Sequence, residues 1–149
     1  VQGGDLSNEL VPRLVLVFEH LVGIVPGNLM RIRYDSWVRT RRWKRAVEEM
    51  VVNEPLARQM WHVTWQLHYE LEVVTYLDPK AVEHIEHWID NQDLPVHRVW
   101  YAEPNKLARK IATMPDLGAI FDPDPAHQLT YGKKGRIINP AQPDILRAW

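Results

Sequence analysis

Four short runs hold the residues best able to do chemistry. One apolar stretch ends in Phe18, Glu19 and His20 and a second ends in Thr75; Lys106 and Lys110 stand one helical turn apart, and the run FDPDP carries Asp122 and Asp124. Two carboxylates spaced by two can offer oxygen ligands to a hard divalent cation, yet Asp-Pro repeated twice is also good turn chemistry that needs no metal. Two lysines one turn apart can neutralise an anion, or can stand solvated on an exposed helix. Thr75 is in itself simply a good β-former. A fifth run differs in kind. Residues 31–45 hold Arg31, Arg33, Arg39, Arg41, Arg42, Lys44 and Arg45 with Tyr34, Trp37 and Trp43, offset by Asp35 alone. Arginine and lysine contact phosphates and rings stack on bases, while tryptophan and arginine are also the preferred anchors of protein interfaces. The bland alternative packs the tryptophans inward beneath a solvated basic face. His84 and His87 fall three apart, which suits the polar side of an amphipathic helix better than a metal site, because HExxH is absent and no further ligand is near in sequence. No Ser/His/Asp arrangement and no glycine loop for phosphate is present.

The elements that must position these residues alternate. Residues 13–22 are a continuous apolar run suited to a buried strand. Residues 28–50 follow as a basic and aromatic insert, for which a hairpin and a short helix both fit. Asn53 can cap a helix with Glu54 and Pro55 in its first turn and Leu56, Met60 and Val63 on one face. Residues 71–77 read as a strand, and Asp78-Pro79 opens a helix with Val82, Ile85, Trp88 and Ile89 on its apolar side. A strand over 96–102, a helix from Glu103 through Leu107, Ala108, Ile111 and Met114, and a strand over 117–121 complete the series. An edge strand or hairpin is expected within 129–138. Strand and helix alternating at this spacing predict an α/β fold with a mainly parallel central sheet and helices on its faces.

The chain has 149 residues, 46% of them hydrophobic, enough for one domain that buries roughly two-thirds of its unfolded surface. Residues 1–12 read as a flexible arm and 13–149 as the single domain. A formal net charge of −1 directs the whole chain neither to nucleic acid nor to an anionic membrane, so a charged partner must read a local patch. Without cysteine there is no disulfide or thiol chemistry. The apolar stretch at 14–25 is broken by Glu19 and His20 and is too short to span a bilayer. No membrane role and a cytoplasmic location are the expectations.

A strand ending in a special triplet, a strand ending in Thr, a helix-borne Lys and a strand ending in paired acids, in that order over residues 13–138, resembles the haloacid dehalogenase (HAD) superfamily. The resemblance implies a Rossmann-like three-layer fold with a small cap or none. In that family the first strand offers an Asp nucleophile and, two residues later, an Asp that acts as general acid and base. A Thr binds the transferring phosphoryl group, a Lys neutralises it, and the paired acids hold Mg2+. Here Thr75 takes the Thr place, Lys106 the Lys place with Lys110 as its alternative, and Asp122 and Asp124 the metal place. At the two Asp positions of the first strand stand Phe18 and His20. Strand alternation aims Glu19 at the opposite face; a slip of one residue would bring it in and put Leu21 at the general-acid place.

No catalytic residue is therefore expected, and no cofactor is required. The chain reads as a catalytically inactive HAD-like binding or regulatory protein acting through protein–protein contacts, similar to short HAD-like proteins of actinobacterial phages. Two alternatives stand beside it. One is an atypical Mg2+-dependent phosphohydrolase that presses Glu19 or His20 into service. The other is a nucleic-acid-binding protein that uses residues 31–45.

Overall fold

β1 (Arg13–Val17) is apolar at four of its five positions because both of its faces are covered: Leu14 and Leu16 join one core, Val15 and Val17 the other. Such a strand belongs at the centre of a parallel sheet. In the computed structural model, which describes residues 12–103, 105–107, 110, 113–114 and 116–146, it is the middle strand of five. The order is β5 (Arg98–Tyr101), β4 (Glu70–Thr75), β1, β6 (Leu117–Asp122) and β7 (Gly135–Ile137), with every neighbouring pair parallel. Helices cover both faces, giving the expected α/β, Rossmann-like three-layer arrangement.

The first strand stops earlier than its apolar pattern predicts. The carbonyl of Phe18 accepts the N–H groups of Leu21, Val22 and Gly23 at 3.4, 3.1 and 3.0 Å, and His20 takes the left-handed conformation at φ 66°. A backbone that folds around one carbonyl cannot continue as a strand. Gly23 permits the close return: a Cβ there would lie 2.8 Å from Met50 Sδ and 2.9 Å from Phe18 Cζ. The chain then forms β2 (Gly23–Ile24), which pairs antiparallel with β3 (Val51–Val52).

Between these short strands the basic insert is helical: α1 (Gly27–Arg39) and α2 (Trp43–Glu48) meet at a bend where Arg41 has φ 59°. α3 (Glu54–Trp65) starts where expected, with Asn53 Oδ1 accepting from Leu56 N. α4 (Ala81–Asn91) buries Ile85, Trp88 and Ile89. Lys106, Leu107 and Lys110 are helical, while Ala108 and Ile111 of that expected helix lie outside the described residues, as does the expected arm except for Pro12. Residues 129–138 hold no hairpin. α5 (Gln128–Tyr131) is followed by the parallel edge strand β7. The tail folds back, and Gln59 on α3 receives it by donating to Pro143 O and accepting from Leu146 N.

The core on one face gathers Leu14, Leu16, Phe18, Val47, Met60 and Ile85 with Ile145 and Leu146 of the tail. The other gathers Val15, Val17, Val74, Leu107, Ile120 and Tyr131. Among the described residues no helix is long and apolar enough to cross a membrane.

Asn53 is the tie between three segments. Besides capping α3, its side-chain amide donates to Leu21 O in the turn after β1 and to Pro140 O in the tail, both at 3.0 Å. Replacing Asn53 by Ala removes the cap and strands buried carbonyl groups, so urea unfolding should show a loss of about 3 kcal/mol.

Candidate functional site at the carboxyl end of the sheet

β1 has β4 on one side and β6 on the other, so the chain reverses its direction across the sheet at β1. In open α/β sheets the crevice at such a point, beyond the carboxyl ends of the strands, is where ligands bind. Here a crevice of about 320 Å3 opens there, walled by Glu19 and His20 after β1, Tyr76 after β4, Asp122, Asp124 and His127 at and after β6, and Tyr34, Asp35 and Val38 of α1. The insert thus supplies one wall.

Glu19 faces this crevice, against the alternation expected of it. It lies beyond the end of β1, on the turn around the Phe18 carbonyl, where the side-chain alternation of a strand no longer applies. Phe18 is instead fully buried, edge-on to Trp88 with ring centroids 5.2 Å apart. Leu21, the residue two beyond Glu19, is also fully buried in the core.

The Glu19 carboxylate is 8% exposed and already engaged. Thr75 donates its hydroxyl to Oε1 at 2.5 Å, and the Tyr76 N–H donates to Oε2 at 3.2 Å. Burial raises its pKa to about 7; the two hydrogen bonds oppose the rise and the charge of Asp122 adds to it. Thr75 is fully buried, and its oxygen also accepts from Leu77 N. The residue expected to hold phosphate therefore holds a carboxylate.

Asp122 is the second centre. Its Oδ1 accepts from Asp124 N at 2.8 Å, and its Oδ2 accepts from the hydroxyls of Tyr131 and Tyr76 and meets His127 Nδ1 at 2.7 Å. Asp124 turns outward, its Oδ1 accepting from Ala126 N at the start of a 3-10 turn and its Oδ2 lying 3.7 Å from His127 Nε2. This is the Asx-Pro turn reading of FDPDP, with Asp122 as a hydrogen-bonded anchor. Among the described residues no group of three or more His, Asp and Glu is placed to hold a metal ion. The phenols of Tyr76 and Tyr131 are held neutral, first by burial.

The two lysines lie elsewhere. Lys106 is exposed and pairs with Glu103 at 3.3 Å. Lys110 Nζ sits 4.0 Å from the centroid of Trp100, and burial lowers its pKa. Trp100 in turn donates to Glu72, which Arg13 pairs at 3.3 Å. Among the described residues no lysine or arginine lines the crevice, although Arg31 on α1 acts on His20 and Tyr34 of its wall.

The basic run is split by α1 and α2. Arg31, Arg33, Arg39, Arg41, Arg42, Lys44 and Arg45 are all exposed, whereas Trp37 and Trp43 are half-buried and packed on the core. Arg45 lies over the Trp37 ring at 5.4 Å and pairs with Glu49, and Lys44 pairs with Glu48. Rings held this way are poor platforms for bases.

Tyr34, Asp35, Tyr76 and His127 belong to the site and were not singled out in the sequence. Tyr76 carries a usable signal, since it follows directly on the end of β4; His127 stands further on, at the end of the 3-10 turn after β6. Tyr34 and Asp35 carry none, because only the fold of the insert brings them there.

No protein-family model, curated protein or solved structure matches this chain.

The raised pKa of Glu19 makes stability depend on pH. Below 4.5 both folded and unfolded chains hold its proton; between 4.5 and 7 only the folded chain does, so this group costs stability progressively as pH rises, and above 7 the cost is constant. Glu19→Gln carries no such proton. Urea unfolding at pH 4.5 and pH 7 should show the wild type losing about 3 kcal/mol relative to the variant across that interval.

Proposed function

We propose that this chain is a HAD-like binding or regulatory protein that acts through protein–protein contacts and transfers no phosphoryl group. The observation that carries this reading is the charge of the crevice. Glu19, Asp35, Asp122 and Asp124 border it and, among the described residues, no lysine or arginine lines it. A phosphoryl dianion entering there would meet carboxylates where catalysis needs positive charge and donors aimed at the developing charge. Buried Leu21 leaves no general acid two residues after Glu19.

The contact surface on this reading is the outer side of α1 and the bend into α2. Arg33, Arg39, Arg41 and Arg42 are exposed there and form no ion pair among the described residues, and Leu29 and Ile32 on the same helix are about two-thirds exposed. Apolar side chains set among arginines suit an acidic protein surface. The covered tryptophans weigh against single-stranded nucleic acid as the partner.

One observation favours the phosphohydrolase reading: Glu19, a carboxylate, faces the crevice where Phe18 was expected. The two readings separate in one assay. With an aryl phosphate and Mg2+, the intact chain should turn over no faster than its Glu19→Gln variant; Mg2+-dependent turnover that disappears in that variant would overturn the inactive reading. A labelled single-stranded oligonucleotide should show no saturable binding at physiological salt. Salt-sensitive binding abolished by Arg41→Glu and Arg42→Glu would make the partner a nucleic acid.

A further inference from the structure

Among the described residues the hydroxyl of Tyr34 has no hydrogen-bond partner. The residue is 4% exposed, its Oη finds no hydrogen bond among the described groups, and it borders the crevice beside Glu19, whose charge, after burial, holds the phenol neutral. A buried hydroxyl without a partner costs roughly 1–3 kcal/mol, so its persistence calls for a group that completes it.

The surroundings define that group. Four carboxylates border a space of about 320 Å3, at the lower end of small-molecule sites and far larger than one water molecule occupies. Among the described residues the basic groups facing it are His20, edge-on to Tyr34 and held toward its neutral form by burial and by Arg31, and His127, fixed on Asp122; Arg31 on α1 also acts on the Tyr34 phenol, more weakly than the charges of Glu19 and Asp35. Val17, Val38, Leu77 and Pro123 make the remaining wall apolar. The oxygens of Glu19 and Asp122 already accept hydrogen bonds, which disfavours a metal that needs bare ligands and leaves lone pairs for further N–H donors.

We propose that the crevice binds a primary alkylammonium group, its N–H donors shared between the orphan Tyr34 hydroxyl and the Glu19 carboxylate and its alkyl arm on the apolar wall. An ammonium carries three donors and one positive charge. It therefore satisfies Tyr34, which can accept, and offsets the acidic rim in one step. The ammonium can belong to a free small amine or to a lysine side chain of a protein partner. The inference shares with the proposed function only the absence of phosphoryl chemistry at the crevice and is independent of the basic face of α1 and α2.

Calorimetry on the intact chain at about pH 8, above the Glu19 midpoint, tests it, with n-butylammonium as probe, n-butanol as its neutral isostere and a doubly capped lysine as the protein-like form. Butylammonium should bind saturably and about tenfold more tightly than butanol, the preference expected of a charge-assisted hydrogen bond in a partly buried site. Glu19→Gln should remove that preference. Tyr34→Phe should weaken binding about threefold or more while melting no lower than the wild type, because it deletes a hydroxyl that has no partner in the free protein. Equal binding of butanol, no binding at all, or binding unchanged in both variants would overturn the proposal and leave the binding-protein reading standing. Phosphatase turnover lost in Glu19→Gln would overturn both readings, whereas failure of the amine to bind overturns this one alone. Binding of capped lysine together with butylammonium assigns the site to a partner's side chain, and binding of butylammonium alone assigns it to a free amine.

Discussion

The carbonyl of Phe18 decides what this molecule presents at its carboxyl edge. Three successive N–H groups close on it, ending β1 one residue short of Phe18 and reversing the chain into β2. The turn sends the Phe18 ring into the core and the Glu19 carboxyl into the crevice. It also brings Leu21 O and Val22 O to Asn53, so the start of α3 and the returning tail are set by the same few atoms. The insert between β2 and β3 is thereby anchored at both ends, and α1 comes to wall the crevice with Tyr34 and Asp35.

Electrostatically the site is organised around two carboxyls with different fates. Asp122 gathers hydroxyl, imidazole and backbone partners. Glu19 has fewer donors and a dry setting, and its proton is held to about pH 7. Tyr76 links them, giving its N–H to Glu19 and its hydroxyl to Asp122.

The sheet was legible because long-range order and local pattern agree. β1, β4 and β6 are apolar runs, Asn53 is a cap with Pro at the next turn, and Ile85, Trp88 and Ile89 repeat at helical spacing; each signal is local and each is realised. The site was less legible for a physical reason. Thr75 and Asp122 were found at strand ends but read as ligands for phosphate and metal, and whether a hydroxyl faces a substrate or a neighbouring carboxylate depends on that neighbour's direction. The direction of Glu19 turned on where β1 ends. An apolar run through Val22 hides that end, since Leu21 and Val22 are buried in the turn as fully as they would be in a strand. Lys106 and Lys110 matched in order along the chain, but their helix carries them to Glu103 and Trp100. Tyr34 lies in a segment whose basic composition drew attention to its surface and away from its one inward phenol.

The inward, desolvated placement of Glu19 beside Thr75 underlies both the electrostatics and the binding chemistry of the crevice. Carbon-13 NMR of the Glu19 carboxyl carbon through a pH titration measures it directly. A midpoint near 7, returning toward 4.5 when the chain is unfolded in urea, is the predicted result. A midpoint near 4.5 in the folded chain would place this carboxyl in water and contradict the site as described.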